Sequence, residues 1–413
     1  MKPRIDAIKA IKIGNEIVKQ NNNAFLFLTG DNGSGKSSLL LDIAKSIAQK
    51  NIRTQLSTLD ASNHSPKVIA YSMAPFSKFD SGDANSLLAR RMFERIGGGS
   101  SGTSRYALLF QAIVQFCISD ESKQPLFQEI ADVTRFSATF RVRLRIERAR
   151  LQRFPRLEIE ANPVAQSILQ STSLEVFIRP GTVRIATPSD AEMLPSNFDA
   201  HFSPPLVGES YDLAEALMLL RRFGGLRVMR VEYATQEDSW RSADQLSSGQ
   251  LSFFVGLMVL ASAIEDNCII LIDEPEVSLH PAWQEKYTQL IYKIARYQKG
   301  CKFYIATHSP MVVSAAKEKG TLVINLGAEF IGASDITDST VENIEEVFAV
   351  YFNTLTLNSH FVRETAIRAT QALAMGDANE FSAYSDILRK LRPKVKDVQT
   401  RKLIAAILRR SVS

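Results

Sequence analysis

The chain has 413 residues, 45% of them hydrophobic and 23% charged, with a formal net charge of +5. This length allows two to three domains or one elaborated domain, and the composition is ordinary for a soluble globular protein. No run of about 18 apolar, uncharged residues is present to cross a membrane, and the start, Met1-Lys2-Pro3-Arg4-Ile5-Asp6, lacks the apolar stretch of a secretory signal. Cys117, Cys268 and Cys301 lie far apart without a CxxC pair, which argues against a disulfide scaffold or zinc module and makes a reducing cytoplasm the expected compartment.

The charge is unevenly spread. Eight arginines and one acid lie between Arg135 and Arg156, and nine basic residues and one acid lie between Arg389 and Arg410. The rest of the chain is therefore acidic on balance. Two concentrated basic segments on an acidic body point to a polyanion contact.

Residues 1–20 pattern weakly as an amphipathic helix through Ile5, Ile8, Ile11, Ile13 and Val18. Ala24 to Thr29 is a continuous apolar run of strand length, as expected of a central parallel strand buried on both faces. The segment Ser38 to Lys50 continues as a helix with Leu39, Leu40, Ile43 and Ile47 on its buried side, and Val68 to Ser72 is a second strand. Gly97 to Gly102 reads as a flexible loop. Residues 120–230 have no repeating pattern and look like an insertion, although Phe140 to Ile146 alternates with period two and puts Arg141, Arg143 and Arg145 on one strand face. Asp212 to Phe223 is a helix stopped by Gly224-Gly225, and Leu251 to Ile264 is an apolar stretch suited to a buried helix. From about Asp338 the chain patterns as helical, and Leu388, Leu391, Val395, Leu403, Ile404 and Ile407 space out as a helical pair with basic outer faces.

Gly30-Asp31-Asn32-Gly33-Ser34-Gly35-Lys36-Ser37 satisfies G-x-x-x-x-G-K-[ST] with a strand before it and a helix after it. Glycines let backbone N–H groups turn inward around a phosphate, Lys36 carries a positive charge to the β/γ oxygens, and Ser37 offers a hydroxyl to Mg²⁺. Cys268 to Glu274 is an apolar strand ending in two carboxylates. In an open α/β sheet its carboxyl end lies beside the phosphate loop. Asp273 is then a Mg²⁺ holder, and Glu274 orients or deprotonates the attacking water. Leu246-Ser247-Ser248-Gly249-Gln250 opens the apolar helix with groups that suit a second anion site, the alternative being an ordinary N-cap. Phe303 to Pro310 is a further apolar strand ending in a polar trio, Thr307-His308-Ser309, whose His308 could contact a γ-phosphate, the alternative being a structural histidine at a strand end.

The set GDNGSGKS, LSSGQ, IILIDEPEVSLHP and IATHSP resembles the ABC-type ATPase heads of chromosome-maintenance, double-strand-break repair and RecF-like proteins. Its DEPEVSLHP and THSP forms are most similar to the overcoming-lysogenization-defect (OLD) nucleases and to anti-phage ATPases of Septu, retron-linked and PARIS-type systems. The resemblance covers residues 24–45 and 240–315. It implies ATP and Mg²⁺ as cofactors, with nucleotide contacts at Asn32, Gly33, Ser34, Gly35, Lys36, Ser37 and Ser38 and metal contacts at Ser37 and Asp273. Catalytic roles fall to Glu274 and His308. Ser247, Ser248, Gly249 and Gln250 would read the γ-phosphate held by a second copy, and the Ser278-Leu279-His280 turn would touch that copy. Two features depart from the family. The segment Ala74 to Asp80 has no glutamine where the heads usually place a metal-binding one, and the chain after His308 lacks the clustered acids of a TOPRIM nuclease.

The expected fold is therefore α/β: a P-loop NTPase of ABC-ATPase-head type with a central, mostly parallel sheet flanked by helices, an inserted α+β region and a helical C-terminal extension. Residues 1–119 and 236–337 would form the two halves of the head, 120–235 the insertion and 338–413 the basic extension. The expected function is an ATPase that dimerises around nucleotide, in a homodimer or higher even oligomer, and controls a separate effector such as a nuclease in anti-phage defence. A RecF-like ATPase that clamps DNA is the alternative. Nucleic acid could meet the Arg141/Arg143/Arg145 face or the basic C-terminal helices, but that face could equally be solvated or dock an acidic protein. No membrane contact is expected.

Overall fold

Among the described residues, eleven strands divide into two sheets, one parallel and one antiparallel. The computed structural model describes residues 5–31, 33–57, 66–72, 93–96, 105–117, 123–133, 136–151, 157–186, 207–235, 237–277, 279–326, 360–395 and 398–409. Asn32 and the segments 74–80 and 97–102 lie outside the described residues, as do Ser278 and the side chain of Ser248.

Helix α1 (Ala7–Gln20) leads into β1 (Ala24–Thr29), α2 (Lys36–Ser57), β2 (Val68–Ser72) and β3 (Phe93–Ile96). Helices α3 (Arg105–Cys117) and α4 (Gln124–Val133) precede β4 (Phe136–Ile146), α5 (Pro163–Gln170), β5 (Ser173–Arg179), β6 (Thr182–Ile185), α6 (Val207–Arg222), β7 (Leu226–Thr235) and β8 (Trp240–Ser242). The chain then returns through α7 (Ser248–Ala263), β9 (Ile269–Asp273), α8 (Pro281–Ala295), β10 (Lys302–Ala306), α9 (Pro310–Ser314) and β11 (Thr321–Asn325). It ends in α10 (His360–Met375), α11 (Ala378–Leu391) and α12 (Val398–Arg409).

The parallel sheet has the order β11-β1-β10-β9-β2-β3. Its strands are apolar at successive positions because both faces are covered, and the two-residue period sorts them into two cores. Leu26, Leu28, Ala70, Leu271 and Tyr304 pack with α1 and α2 on one face. Phe25, Phe27, Ile69, Tyr71, Ile270 and Phe303 point into the larger core on the other. That larger core continues without a break into the antiparallel sheet, ordered β6-β5-β4-β7-β8, whose Phe140, Val142 and Leu144 face inward. The region that reads as an unpatterned insertion is thus a sheet and helices sharing one core with the parallel sheet. Helix α7 runs through that core, and such a helix must be apolar all round. Its C-terminal carbonyls of Ala261 and Ile264 accept from the buried Lys123 ammonium, at 3.2 and 3.4 Å.

The three C-terminal helices form their own apolar cluster around Val362, Leu388, Leu391, Val395, Ile404 and Ile407. Leu403, which the sequence pattern counts among the buried positions, is 51% exposed. Among the described residues, no helix is long and apolar enough to cross a membrane.

Candidate nucleotide site

Three parallel strands, β1, β10 and β9, lie side by side and end on the same sheet edge. Each delivers one part of the site there. After β1 the loop turns through Gly30, Gly33 and Gly35, all at positive φ. A Cβ built on Gly33 or Gly35 would meet nothing within 4 Å, so the glycines serve the turn and leave an open cradle. The Lys36 side chain, on a residue only 4% exposed, bends back over the loop. Its ammonium donates to the carbonyls of Gly30 (2.9 Å) and Asp31 (3.1 Å) and lies 3.3 Å from His308 Nδ1. Burial lowers the Lys36 pKa, and the carboxylates of Glu274, Glu276, Asp273 and Asp31 work against that shift.

The Ser37 hydroxyl donates to Asp273 Oδ1 at 2.9 Å. A hydroxyl and a carboxylate together at the mouth of a phosphate loop are hard oxygen donors of the kind Mg²⁺ takes, with phosphate oxygens and water completing its shell. The donor set therefore fits Mg²⁺, which Ser37 and Asp273 could hold. Glu274 follows with φ of 50°. That is the left-handed region, uncommon for a residue with a side chain, and the following Pro275 restricts Glu274 further. The Glu274 N–H donates to the Ala306 carbonyl at 2.9 Å, which holds the turn against β10.

His308 leaves the end of β10 with its Nε2 3.9 Å from Glu274 Oε1. An ammonium is donor only, so the contact from Lys36 makes Nδ1 the acceptor and leaves the ring proton on Nε2, facing Glu274. Burial lowers the His308 pKa, the Lys36 charge lowers it further, and Glu274 and Asp31 oppose both. The structure thus brings together Lys36, Ser37, Asp273, Glu274 and His308.

One residue of this site escapes the sequence reading. Glu276 accepts the Thr307 hydroxyl proton on Oε2 (2.8 Å) and the His308 backbone N–H on Oε1. One carboxylate therefore clamps the turn that carries the histidine. Burial raises the Glu276 pKa, while the two donors favour its charged form. The signal was present as a third acid in Asp273-Glu274-Pro275-Glu276, but an acid after a strand end reads as turn polarity until the neighbouring strand is known. Ser309 completes the segment by capping α9 through Met311 and Val312 N–H and donating to Gln284 Oε1 at 2.6 Å.

Ser247 and Gln250 form a reciprocal capping box at the start of α7. Ser247 Oγ accepts from Gln250 N (3.1 Å) and Gln250 Oε1 accepts from Ser247 N (2.9 Å). Ser247 is exposed, and Gly249 is buried. The hydroxyl is thus used by its own helix, as the N-cap alternative expects, at a helix end whose dipole still favours an anion. His280 similarly caps α8 through Ala282 N–H at 3.3 Å.

The arginine face of β4 is largely matched by acids. Arg141 donates to Glu232 at 2.7 Å and covers the Trp240 ring at 4.9 Å, and Arg143 donates to Glu175 at 2.9 Å. Both acids occupy the directly opposite cross-strand positions. Such pairs stabilise the sheet and take two of the three arginines out of the free positive charge that the sequence pattern suggests.

The glycine loop between strand and helix, the acid-ended strand and the parallel sheet are the arrangement of a P-loop nucleotide-binding domain. Consistent with this, residues 128–314 match the family described as an AAA domain, putative AbiEii toxin, Type IV TA system.

Proposed function

We propose that the protein hydrolyses ATP with Mg²⁺ and that two copies close around the nucleotide. The convergence of Lys36, Ser37, Asp273, Glu274 and His308 at one sheet edge carries this reading. Mg²⁺ supplies charge neutralisation on the phosphates. Lys36 holds the β/γ oxygens, Glu274 positions and deprotonates water, and His308 reports on the γ-phosphate through Nε2. Positioning and electrostatics of this kind are what phosphoryl transfer requires. The N-terminus of α7, where Ser247 is exposed, would face the γ-phosphate bound by the other copy with Ser247, Ser248, Gly249 and Gln250.

Coupling of this closure to a separate effector, a nuclease or toxin, follows from the resemblance of the motifs to anti-phage ATPases. The toxin-system description of the family matched over residues 128–314 favours the same reading. The DNA-clamp alternative is weaker because Glu232 and Glu175 engage Arg141 and Arg143.

The decisive experiment measures ATP turnover and mass in solution for two variants. Glu274→Gln is expected to bind ATP, fail to hydrolyse it and accumulate as a dimer. Ser247→Arg is expected to bind ATP yet remain monomeric and inactive. A Ser247→Arg monomer with normal turnover would refute the composite site.

A further inference from the structure

The antiparallel lobe contains a cavity of about 1110 Å³ formed by α3, α6 and the start of β7. It shares no lining residue with the phosphate loop. Its walls combine an apolar part, including Tyr106, Met218, Val228 and Met229, with four arginines, Arg150, Arg221, Arg222 and Arg227, set against two glutamates, Glu158 and Glu215. It is an open cleft rather than an enclosed cavity, and an apolar wall with a few convergent polar groups is a common form of a small-ligand site.

The arginines are poorly matched from within the protein. Arg222 has Glu158 at 3.6 Å and Arg150 has Glu147 only at 3.9 Å. Arg221 is half-buried and has no ion-pair partner among the described residues, and its burial lowers its pKa. A guanidinium stays charged in proteins, so desolvating one without an anion is costly. The C-terminal dipole of α6 favours Arg221 and Arg222 in part, but it does not account for Arg227. That residue faces Arg145 directly across the β4/β7 pair, a like-charge juxtaposition that destabilises a sheet. Neither Arg145 nor Arg227 has an ion-pair partner among the described residues. Burial without pairing at Arg221 and repulsion at Arg227 meet at the same cavity, and one anionic ligand relieves both.

We propose that this cavity binds a second nucleotide, one carrying two phosphate groups, with the phosphates on Arg221 and Arg227 and the base against Tyr106 and the methionines. Four arginines against two glutamates leave the lining net positive, which favours a ligand with more than one phosphate group, and the planar guanidinium fork suits phosphate oxygens in bidentate contact. The site would make the protein responsive to a nucleotide other than the one at the phosphate loop, and it stands whether or not that loop supports hydrolysis.

Calorimetric titration with ADP at about 50 mM salt, where phosphate contacts are strong, tests the assignment. The unaltered chain is expected to bind two ADP, and Lys36→Ala and Arg221→Ala one each. In the Lys36→Ala background, Arg221→Ala should weaken the remaining event about tenfold or more, and the exposed Arg227→Ala should weaken it several-fold. Circular dichroism confirms that each variant is folded. The proposal is overturned if folded Lys36→Ala binds no ADP, or if neither arginine variant affects what it binds. It is also overturned if a single-stranded oligonucleotide of about 20 residues outcompetes ADP there by a hundredfold, which would make the surface a polynucleotide track. Failure of the phosphate-loop reading looks different: Lys36→Ala would then bind as much ADP as the unaltered chain.

Discussion

Ser37 and Asp273 are 236 residues apart in the chain and share a hydrogen bond of 2.9 Å. It joins the first turn of α2 to the acidic end of β9 and so links the phosphate loop to the carboxylate that would hold the metal. Asp273→Asn keeps a group able to meet Ser37 but removes the negative charge. ATP affinity should then lose its Mg²⁺ dependence while metal-free binding persists, as read by calorimetry with Mg²⁺ and with EDTA.

Lys36 is the main cation of the loop, and it also sets the charge state of its neighbour. Lys36→Ala should weaken ATP binding by about 10- to 100-fold, the range expected for a lost charge-assisted contact. It should also raise the His308 pKa, because the Lys36 charge is one of the two causes that lower it. Histidine NMR titration of the two proteins checks this directly.

The depressed pKa of His308 also makes stability depend on pH. The unfolded histidine takes up its proton near pH 6.5, whereas the folded one does so only at lower pH. Across that interval the unfolded state binds more protons, so stability falls as pH drops below about 6.5. His308→Gln should remove this contribution, making denaturant midpoints between pH 5 and 7 flatter than those of the parent.

Glu276 touches the backbone of the turn that carries His308 and the side chain of Thr307, so it acts as a positioning residue. Glu276→Gln replaces one acceptor by a donor, which either opposes the His308 N–H or makes the Thr307 hydroxyl turn from donor to acceptor. ATP turnover should fall by about tenfold, the cost of roughly 1.4 kcal/mol, with ATP affinity little changed. A loss of affinity equal to the loss of turnover would mean that Glu276 supports the binding loop instead.

Tyr71 occupies the space that a side chain at position 256 would need. A Cβ on Gly256 would lie 1.9 Å from the Tyr71 hydroxyl, which itself donates to the Ser252 carbonyl at 3.2 Å. Gly256→Ala should therefore destabilise the fold by about 1–3 kcal/mol through overpacking, measurable by urea unfolding. Pairing it with Tyr71→Phe should recover part of the loss, because the closest atom is then gone.

Strand β1, the phosphate loop, β2, β9 and β10 were legible in the sequence because parallel strands covered on both faces are apolar at every position, and because glycine, lysine and serine spacing around a phosphate allows few substitutes. The end of α2 was less so. The sequence pattern supports a helix to Lys50, whereas it runs to Ser57. The antiparallel sheet was only partly visible. Phe140, Val142 and Leu144 alternate clearly with arginines, yet which partners pair with those arginines depends on strands 32 and 91 residues away.

A phosphate-loop motif, an acid-ended strand and a histidine-ended strand can be read from residue order alone, since each is a local arrangement of residue types fixed by its own chemistry. It takes the folded arrangement to place β10 between β1 and β9 and set His308 against both Lys36 and Glu274, to clamp the histidine turn with Glu276, and to match Arg141 and Arg143 with acids while Arg221 has none among the described residues. These are relations between distant segments. They follow from strand order and register, which buried apolar surface selects across the whole chain at once and which no local spacing records.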